Sequence, residues 1–210
     1  MTLITTKDLV FNNMIEYPDM TIEKTAKWPS FKVPAAPAKR TLFRLFNATI
    51  NPSQGTIYYN KVDISTINAL ELRRKILLIN QQVYLFDGTI ADNFRQFHAY
   101  RSSTPPTETA MKEFLHIAAA PFTPEQDVAR LSGGEKQRVF NAIMLSFNAE
   151  VYMWDEPSAA LDSPTATTFF TRMKEYMAKH DKTTLVISHD DTLYPKFSDA
   201  LIELKSRHEV

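Results

Sequence analysis

The chain has 210 residues and only four glycines, Gly55, Gly88, Gly133 and Gly134. Average usage of roughly 7% would give about fifteen. The shortage excludes whole classes of site. No window can match G-x-G-x-x-G or G-x-x-x-x-G-K-[ST], the loops that cradle phosphates with closely approaching backbone. The only adjacent pair is Gly133-Gly134.

Otherwise the composition is that of an ordinary globular protein, with 44% apolar residues and twelve prolines. A prior of ~150 residues per domain gives one or two domains. Lysine plus arginine equals 24, as does aspartate plus glutamate, so there is no basic excess of the kind that nucleic-acid binders show. No nucleic-acid partner is therefore expected. Without cysteine, neither disulfides nor thiolate metal sites are possible. The N-terminus lacks the basic and apolar regions of a signal peptide. No apolar run approaches the ~20 residues that cross a bilayer. The expected location is cytoplasmic, with any membrane association made through another chain.

Periodicity predicts strands at 9–11, 56–59, 76–79, 151–154, 184–188 and 200–204. It predicts helices at 40–48, 67–75, 108–119, 132–147 and 164–180, and a polar loop at 102–107. Residues 17–37 resist a reading, because Trp28, Pro29, Pro34 and Pro37 break every period. The second half alternates helix and strand, which argues for an α/β fold with a mostly parallel sheet and flanking helices. Ligands of such sheets lie beyond the carboxyl ends of the strands.

The chemistry concentrates there. Val151-Tyr152-Met153-Trp154 runs into Asp155-Glu156-Pro157, so a buried strand delivers two carboxylates at its carboxyl end. In a nucleotide hydrolase the first would hold magnesium and the second would polarise the attacking water. The bland alternative is a solvated acidic turn. Leu131-Ser132-Gly133-Gly134-Glu135 opens the 132–147 helix. Serine is a good cap, glycines let backbone N–H groups approach a ligand, and a helix N-terminus favours anions. A plain cap would not need two glycines. Ser158-Ala159-Ala160-Leu161-Asp162 follows the carboxylates, and the 184–188 strand ends in His189-Asp190. His98, His116, His180 and His208 stand alone and are read as surface or packing residues.

Together LSGGEKQR (131–138), VYMWDEP (151–157), SAALD (158–162) and ISHD (187–190) closely resemble the ATP-binding cassette (ABC) family of transporter ATPases. They correspond to its signature, Walker B with catalytic glutamate, D-loop and H-loop. Residues 80–90 look like the family's Q-loop, with Gln81 four residues before the Leu-Phe pair, and 51–63 look like the turn and strand after the phosphate-loop helix. The resemblance covers roughly residues 40–205 and is nearest to exporter subunits of the iron-export type. It implies one nucleotide-binding domain over 1–210, with a RecA-like P-loop NTPase core, a reduced antiparallel β-subdomain and an inserted α-helical subdomain at about 83–130. It also implies ATP and Mg2+ as cofactors, a second cassette as dimer partner, and an integral membrane subunit that holds the protein at the membrane's inner face. By resemblance Asp155 serves magnesium, Glu156 the water, Gln81 the link between metal and membrane subunit, and His189 the γ-phosphate. Ser132, Gly133 and Gly134 would meet the nucleotide held by the partner, and Asp162 of the D-loop, with Lys39, Arg40, Thr41 and Tyr17, completes the nucleotide-binding candidates.

The first half departs from that pattern. Aligned on Lys39, Walker A falls on residues 33–41, with glycine expected at 33, 36 and 38, where the chain has Val33, Ala36 and Ala38. Serine or threonine is expected at 40, where Arg40 removes the hydroxyl that would hold magnesium. Thr41 comes one place late. Pro34 and Pro37 remove two donors from the nest of N–H groups, and alanine at a position needing φ > 0 costs about 1 kcal/mol. Lys39 remains able to meet a phosphate as a point charge. Tyr17 is the candidate for stacking on adenine, with a packing or surface tyrosine as the equal alternative. Three outcomes stay open at this stage: the altered loop binds ATP weakly, the chain completes a partner's site through its signature as a pseudo-ATPase, or the loop is lost and the other motifs are left over.

Overall fold

The computed structural model describes residues 1–24, 29–32, 36–187, 194–197 and 200–203. The described chain begins with β1 (Thr2–Phe11), β2 (Ile15–Glu16), β3 (Thr21–Glu23), β4 (Pro29–Lys32), α1 (Ala36–Phe46), β5 (Gln54–Tyr59) and β6 (Val62–Asp63). Next come α2 (Ala69–Lys75), β7 (Ile76–Ile79), α3 (Ile90–Tyr100), α4 (Glu108–Ile117) and α5 (Gly133–Leu145). Then follow β8 (Val151–Asp155), α6 (Ser163–Lys179), β9 (Thr183–Ile187), α7 (Tyr194–Phe197) and β10 (Ala200–Glu203). Contacts divide the chain into two compact units: residues 1–78, 149–155 and 180–210, and residues 79–148 and 156–179.

The first unit carries two sheets. One has strand order β10-β4-β9-β8-β7, with the β10–β4, β4–β9 and β9–β8 pairings all parallel. Every residue of β8 and β9 is buried, as expected of parallel strands covered on both faces. The other sheet is antiparallel, with β2 and β3 on one side of β1, and β5 and then β6 on the other. Leu42, Phe43, Leu45 and Phe46 of α1 join Leu3, Ile57 and Tyr59 of the antiparallel sheet and Met153, Leu185 and Ile187 of the parallel one in a single buried cluster. The amphipathic face read at 40–48 is therefore the one that fills this core.

Sequence and structure differ in instructive places. The first strand runs over ten residues rather than three, because β1 is paired on both sides, with β2 and β3 on one and β5 on the other, and its buried Leu3, Ile4, Thr6 and Leu9 straddle a bulge where the register shifts. At that bulge Asp8 has φ 50°, and a Cβ on Gly55 would lie 2.2 Å from the Asp8 carbonyl oxygen. Gly55 is thus required by the close approach of two backbones. The unread stretch 17–37 holds β3 and β4, strands too short to show a period. Helix α1 starts at Ala36, four residues earlier than expected.

The second unit is helical. Helix α3 was not read from the sequence, because its apolar residues are spaced by Asp92, Asn93, Arg95 and Gln96. Its start is nonetheless written as a capping box: the Asp92 N–H donates to Thr89 Oγ1 at 3.1 Å, and the Thr89 N–H donates to Asp92 Oδ2 at 3.1 Å. The buried Asn93 side chain fastens the preceding loop, accepting from the Phe86 N–H and donating to the Phe86 carbonyl. His98 is also buried, with Nδ1 2.9 Å from Ser103 Oγ and Nε2 2.9 Å from Ser146 Oγ. Ser146 Oγ in turn donates to the Ile143 carbonyl at 2.6 Å, and Ser103 Oγ to the His98 carbonyl at 3.3 Å.

The glycine shortage reappears in the backbone. Eleven non-glycine residues among those described have positive φ. Five of them, Ala48, Ser102, Ala119, Asn148 and Asp181, lie one to two residues past the ends of α1, α3, α4, α5 and α6 or their caps, where glycine is the usual terminator. After α4 the Ala120 N–H reaches back to the Leu115 carbonyl at 2.9 Å, closing the turn around the left-handed Ala119. Asn60 and Lys61, both left-handed, make the hairpin between β5 and β6.

Two outcomes follow. An L-residue in left-handed backbone costs ~1–2 kcal/mol, partly offset by the ~0.4–1 kcal/mol that glycine loses through unfolded-state entropy, so Ala119→Gly stabilises by about 0.5–1 kcal/mol, read as a raised urea midpoint. Burial, and secondarily the Arg101 charge, lower the His98 pKa below its ordinary 6.5. The unfolded chain then binds the proton more readily than the folded one. This contribution to stability is complete above pH 6.5 and is lost as pH falls below it toward the folded value. His98→Gln flattens that limb of the stability–pH curve.

Candidate functional site

In the first unit the site builds from α1 and the carboxyl end of β8. Asp155 is the last residue of β8, and its side chain is 6% exposed. A carboxylate taken out of water needs a cation or several donors. Its Oδ2 accepts from Arg40 Nε at 2.8 Å, while its Oδ1 is buried with no hydrogen-bond partner among the described residues. Arg40 is half-exposed and sits in α1, one residue after Lys39. Because α1 begins at Ala36, Ala36 and Ala38 are helical rather than left-handed, so the cost foreseen for alanine in a phosphate loop is avoided. Pro37 stands in the first turn, where a missing N–H matters least. The latter half of the expected loop is thus replaced by helix.

Thr41 and Tyr17 are also brought together by a hydrogen bond between their side chains. Tyr17 is buried, packs in the first unit's core, and donates its backbone N–H to the Leu9 carbonyl at 2.9 Å. Burial raises its hydroxyl pKa well above the usual value. A ring so enclosed has no face to offer an adenine. The stacking role expected of Tyr17 is corrected to packing, and the Thr41 hydroxyl is committed to it.

The magnesium that the resemblance assigns to Asp155 does not fit the residues present. Position 40 supplies a guanidinium, which has no lone pair to coordinate a metal and carries a like charge. That guanidinium occupies Oδ2, and Oδ1 is shielded from the water shell that Mg2+ keeps. No group of three or more potential ligands from His, Cys, Asp and Glu occurs among the described residues.

The second unit holds the remaining elements. Glu156 is 7% exposed and has φ 54°, a left-handed non-glycine conformation that costs of order 1–3 kcal/mol and is found preferentially at functional sites. The next residue is held by a buried relay on α5: Gln137 Nε2 donates to Asn141 Oδ1, and Asn141 Nδ2 donates to the Pro157 carbonyl at 3.2 Å. Ser132 caps α5 in a capping box, its N–H donating to Glu135 Oε2 at 2.8 Å. That bond holds the Glu135 carboxyl below its usual range. Asp162 Oδ1 accepts from the Thr165 N–H at 2.8 Å in the first turn of α6, which lowers its pKa too. Gln81 is exposed just past β7. His189 lies outside the described residues.

The two adjacent glycines separate in role. A Cβ on Gly134 would sit 2.5 Å from the Ala160 carbonyl oxygen, whereas a Cβ on Gly133 would meet nothing within 4 Å. Gly134 is needed for the 158–161 turn to lie against α5. Gly133 leaves the helix N-terminus open. Sequence reasoning credited both to a ligand and missed the packing role. It also missed Arg40 as the partner of Asp155, although an arginine at a hydroxyl's position ahead of a buried strand-end carboxylate was the signal.

The comparisons agree with this architecture. Residues 39–159, more than half of the chain, match the family model for the ABC transporter. Protein STAR1 of Oryza sativa subsp. japonica is 30% identical over 167 residues, spanning 79% of this chain and 48% of that protein. The chain therefore covers about half the length of that relative. The structure of a bacterial Atm1-family ABC exporter with ATP bound matches with a TM-score of 0.84 at 24% identity, over 97% of this chain and 37% of the other. A dimeric ATP-binding cassette in a post-hydrolysis state, bound to ADP and Pi, matches with a TM-score of 0.79 at 22% identity, over 97% of this chain and 94% of that one. The fold is that of the RecA-like P-loop ATPase cassettes. The chain belongs to the ABC transporter family.

The glycine assignment has a direct check. Gly134→Ala, forced against a backbone oxygen, costs about 1–3 kcal/mol of stability. Gly133→Ala changes it by less than about 0.5 kcal/mol. Denaturant melts of the two variants separate them.

Proposed function

We propose that this chain is the ATP-binding subunit of an ABC transporter, acting as one of a pair of cassettes on a separate integral membrane subunit at the membrane's inner face. Residues 1–210 form a single nucleotide-binding domain, with about 83–130 as its helical subdomain. ATP is the nucleotide. Ser132, Gly133 and Gly134, at the N-terminus of α5, contact the phosphates of the nucleotide held by the partner, with Asp162 alongside. The Ser132 capping box and the open space at Gly133 support this. In a hydrolysing site of this pattern Glu156 would be the base for the attacking water and His189 would meet the γ-phosphate, with Gln81 the link to the membrane subunit. The dimeric ADP-bound cassette of like fold supports pairing.

Of the two readings of the chain's own site, the Arg40–Asp155 ion pair favours the impaired one. With Asp155 engaged and no hydroxyl at position 40, magnesium has no purchase. The first role of the chain is then to complete the partner's site through its signature. In assays the chain alone turns over no ATP above the level of its Glu156→Gln variant. Turnover appears on mixing with the partner cassette and membrane subunit, and falls more than about tenfold with Gly133→Asp, a loss of at least about 1.4 kcal/mol. Glu156-dependent turnover by the chain alone sinks the impaired reading.

A further inference from the structure

We propose that Arg40 is a built-in replacement for the divalent cation, so that the chain's own site takes a nucleoside di- or triphosphate free of metal and retains it without turnover. The proposal rests on the reading of this site as a nucleotide site and adds the form in which the nucleotide binds. Three observations carry it. The Asp155 carboxylate is buried at the end of the inner strand β8 and cannot stand uncompensated. The cation that compensates it belongs to the chain itself, through Arg40 Nε on Oδ2 at 2.8 Å. And Arg40 occupies the position where the family's pattern has the metal-holding hydroxyl, so a single residue removes one magnesium ligand and covers the other.

A fixed guanidinium does part of a metal ion's work. Its planar fork of donors matches phosphate oxygens. Following Lys39 directly, it gives α1 two consecutive cationic residues near the helix's N-terminal end, where anions are already favoured. It cannot supply the other half of the metal's work. It has no exchangeable water and no open coordination position, so it can hold phosphate charge without assembling an in-line attack. The preference for the metal-free form follows from electrostatics, because a bound dication would sit beside the guanidinium and compete with it for Asp155.

The test is fluorescence titration of the full chain with an N-methylanthraniloyl derivative of ADP or ATP, in excess EDTA and in millimolar magnesium. The wild type is expected to bind more tightly in EDTA than in magnesium, whereas Arg40→Thr binds at least about tenfold more weakly in EDTA than in magnesium. Arg40→Lys, which keeps a cation but loses the fork, gains no affinity from magnesium. A second readout needs no nucleotide. Wild-type thermal melting is indifferent to magnesium, and the lowered Tm of Arg40→Thr is raised by it. Wild-type affinity that rises tenfold or more with magnesium overturns the proposal and leaves the nucleotide site standing. Absence of binding in both conditions overturns the nucleotide reading and the proposal together.

Discussion

A carboxylate at the end of a buried inner strand dictates much of what surrounds it. β8 is covered along its whole length, as a strand paired in parallel with the equally buried β9 needs, yet it ends on an acidic residue. Asp155 is left nearly out of water, and such a charge persists only with a counter-charge built to reach it. The chain meets that demand from α1, whose buried face of Leu42, Phe43, Leu45 and Phe46 anchors the helix in the core and so aims Arg40 at Asp155. Core packing and site electrostatics are thus one arrangement, because the residues that hold α1 in place also hold its guanidinium on the carboxylate.

The same helix explains how the chain departs from the family pattern without a cost that would unfold it. Alanines and prolines are poor material for a left-handed phosphate loop, but Ala36, Pro37 and Ala38 are good material for a first helical turn. The substitutions are mutually consistent. Helix takes over the second half of the loop, Arg40 replaces a metal ligand, and Thr41 turns to the buried Tyr17. In the second unit, by contrast, Ser132 and Glu135 cap α5 reciprocally, and the relay from Gln137 through Asn141 secures the turn after Glu156. One half of the cassette has been rebuilt while the other keeps its supports.

Sequence reasoning reached the site's motifs because they are local. A strand that ends in Asp155-Glu156, and a serine with two glycines before a helix, carry their chemistry in a few consecutive residues. It reached the fold class through the alternation of helix and strand in the second half. What it missed is non-local or non-periodic. The Arg40–Asp155 pair spans 115 positions. The clash that demands Gly134 comes from Ala160, a residue on a different segment. β3 and β4 are three and four residues long, too short for any alternation to register. Helix α3 hides its apolar face behind polar spacers, and only its Thr89–Asp92 cap betrays it.

The left-handed residues beyond the helix ends bear on how the molecule opens. Glycine at such positions relaxes a turn in the folded state at the expense of a floppier unfolded chain. Alanine, serine, asparagine and aspartate do the reverse, stiffening the unfolded chain while leaving the last turn of each helix under tension. Ala48, Ser102, Ala119, Asn148 and Asp181 distribute that tension over five separate helix ends instead of one hinge. Local opening of low free-energy cost begins where backbone strain is highest and buried contacts fewest. Each of these ends therefore stores a little backbone strain in the folded chain, shared among five turns and not gathered in one.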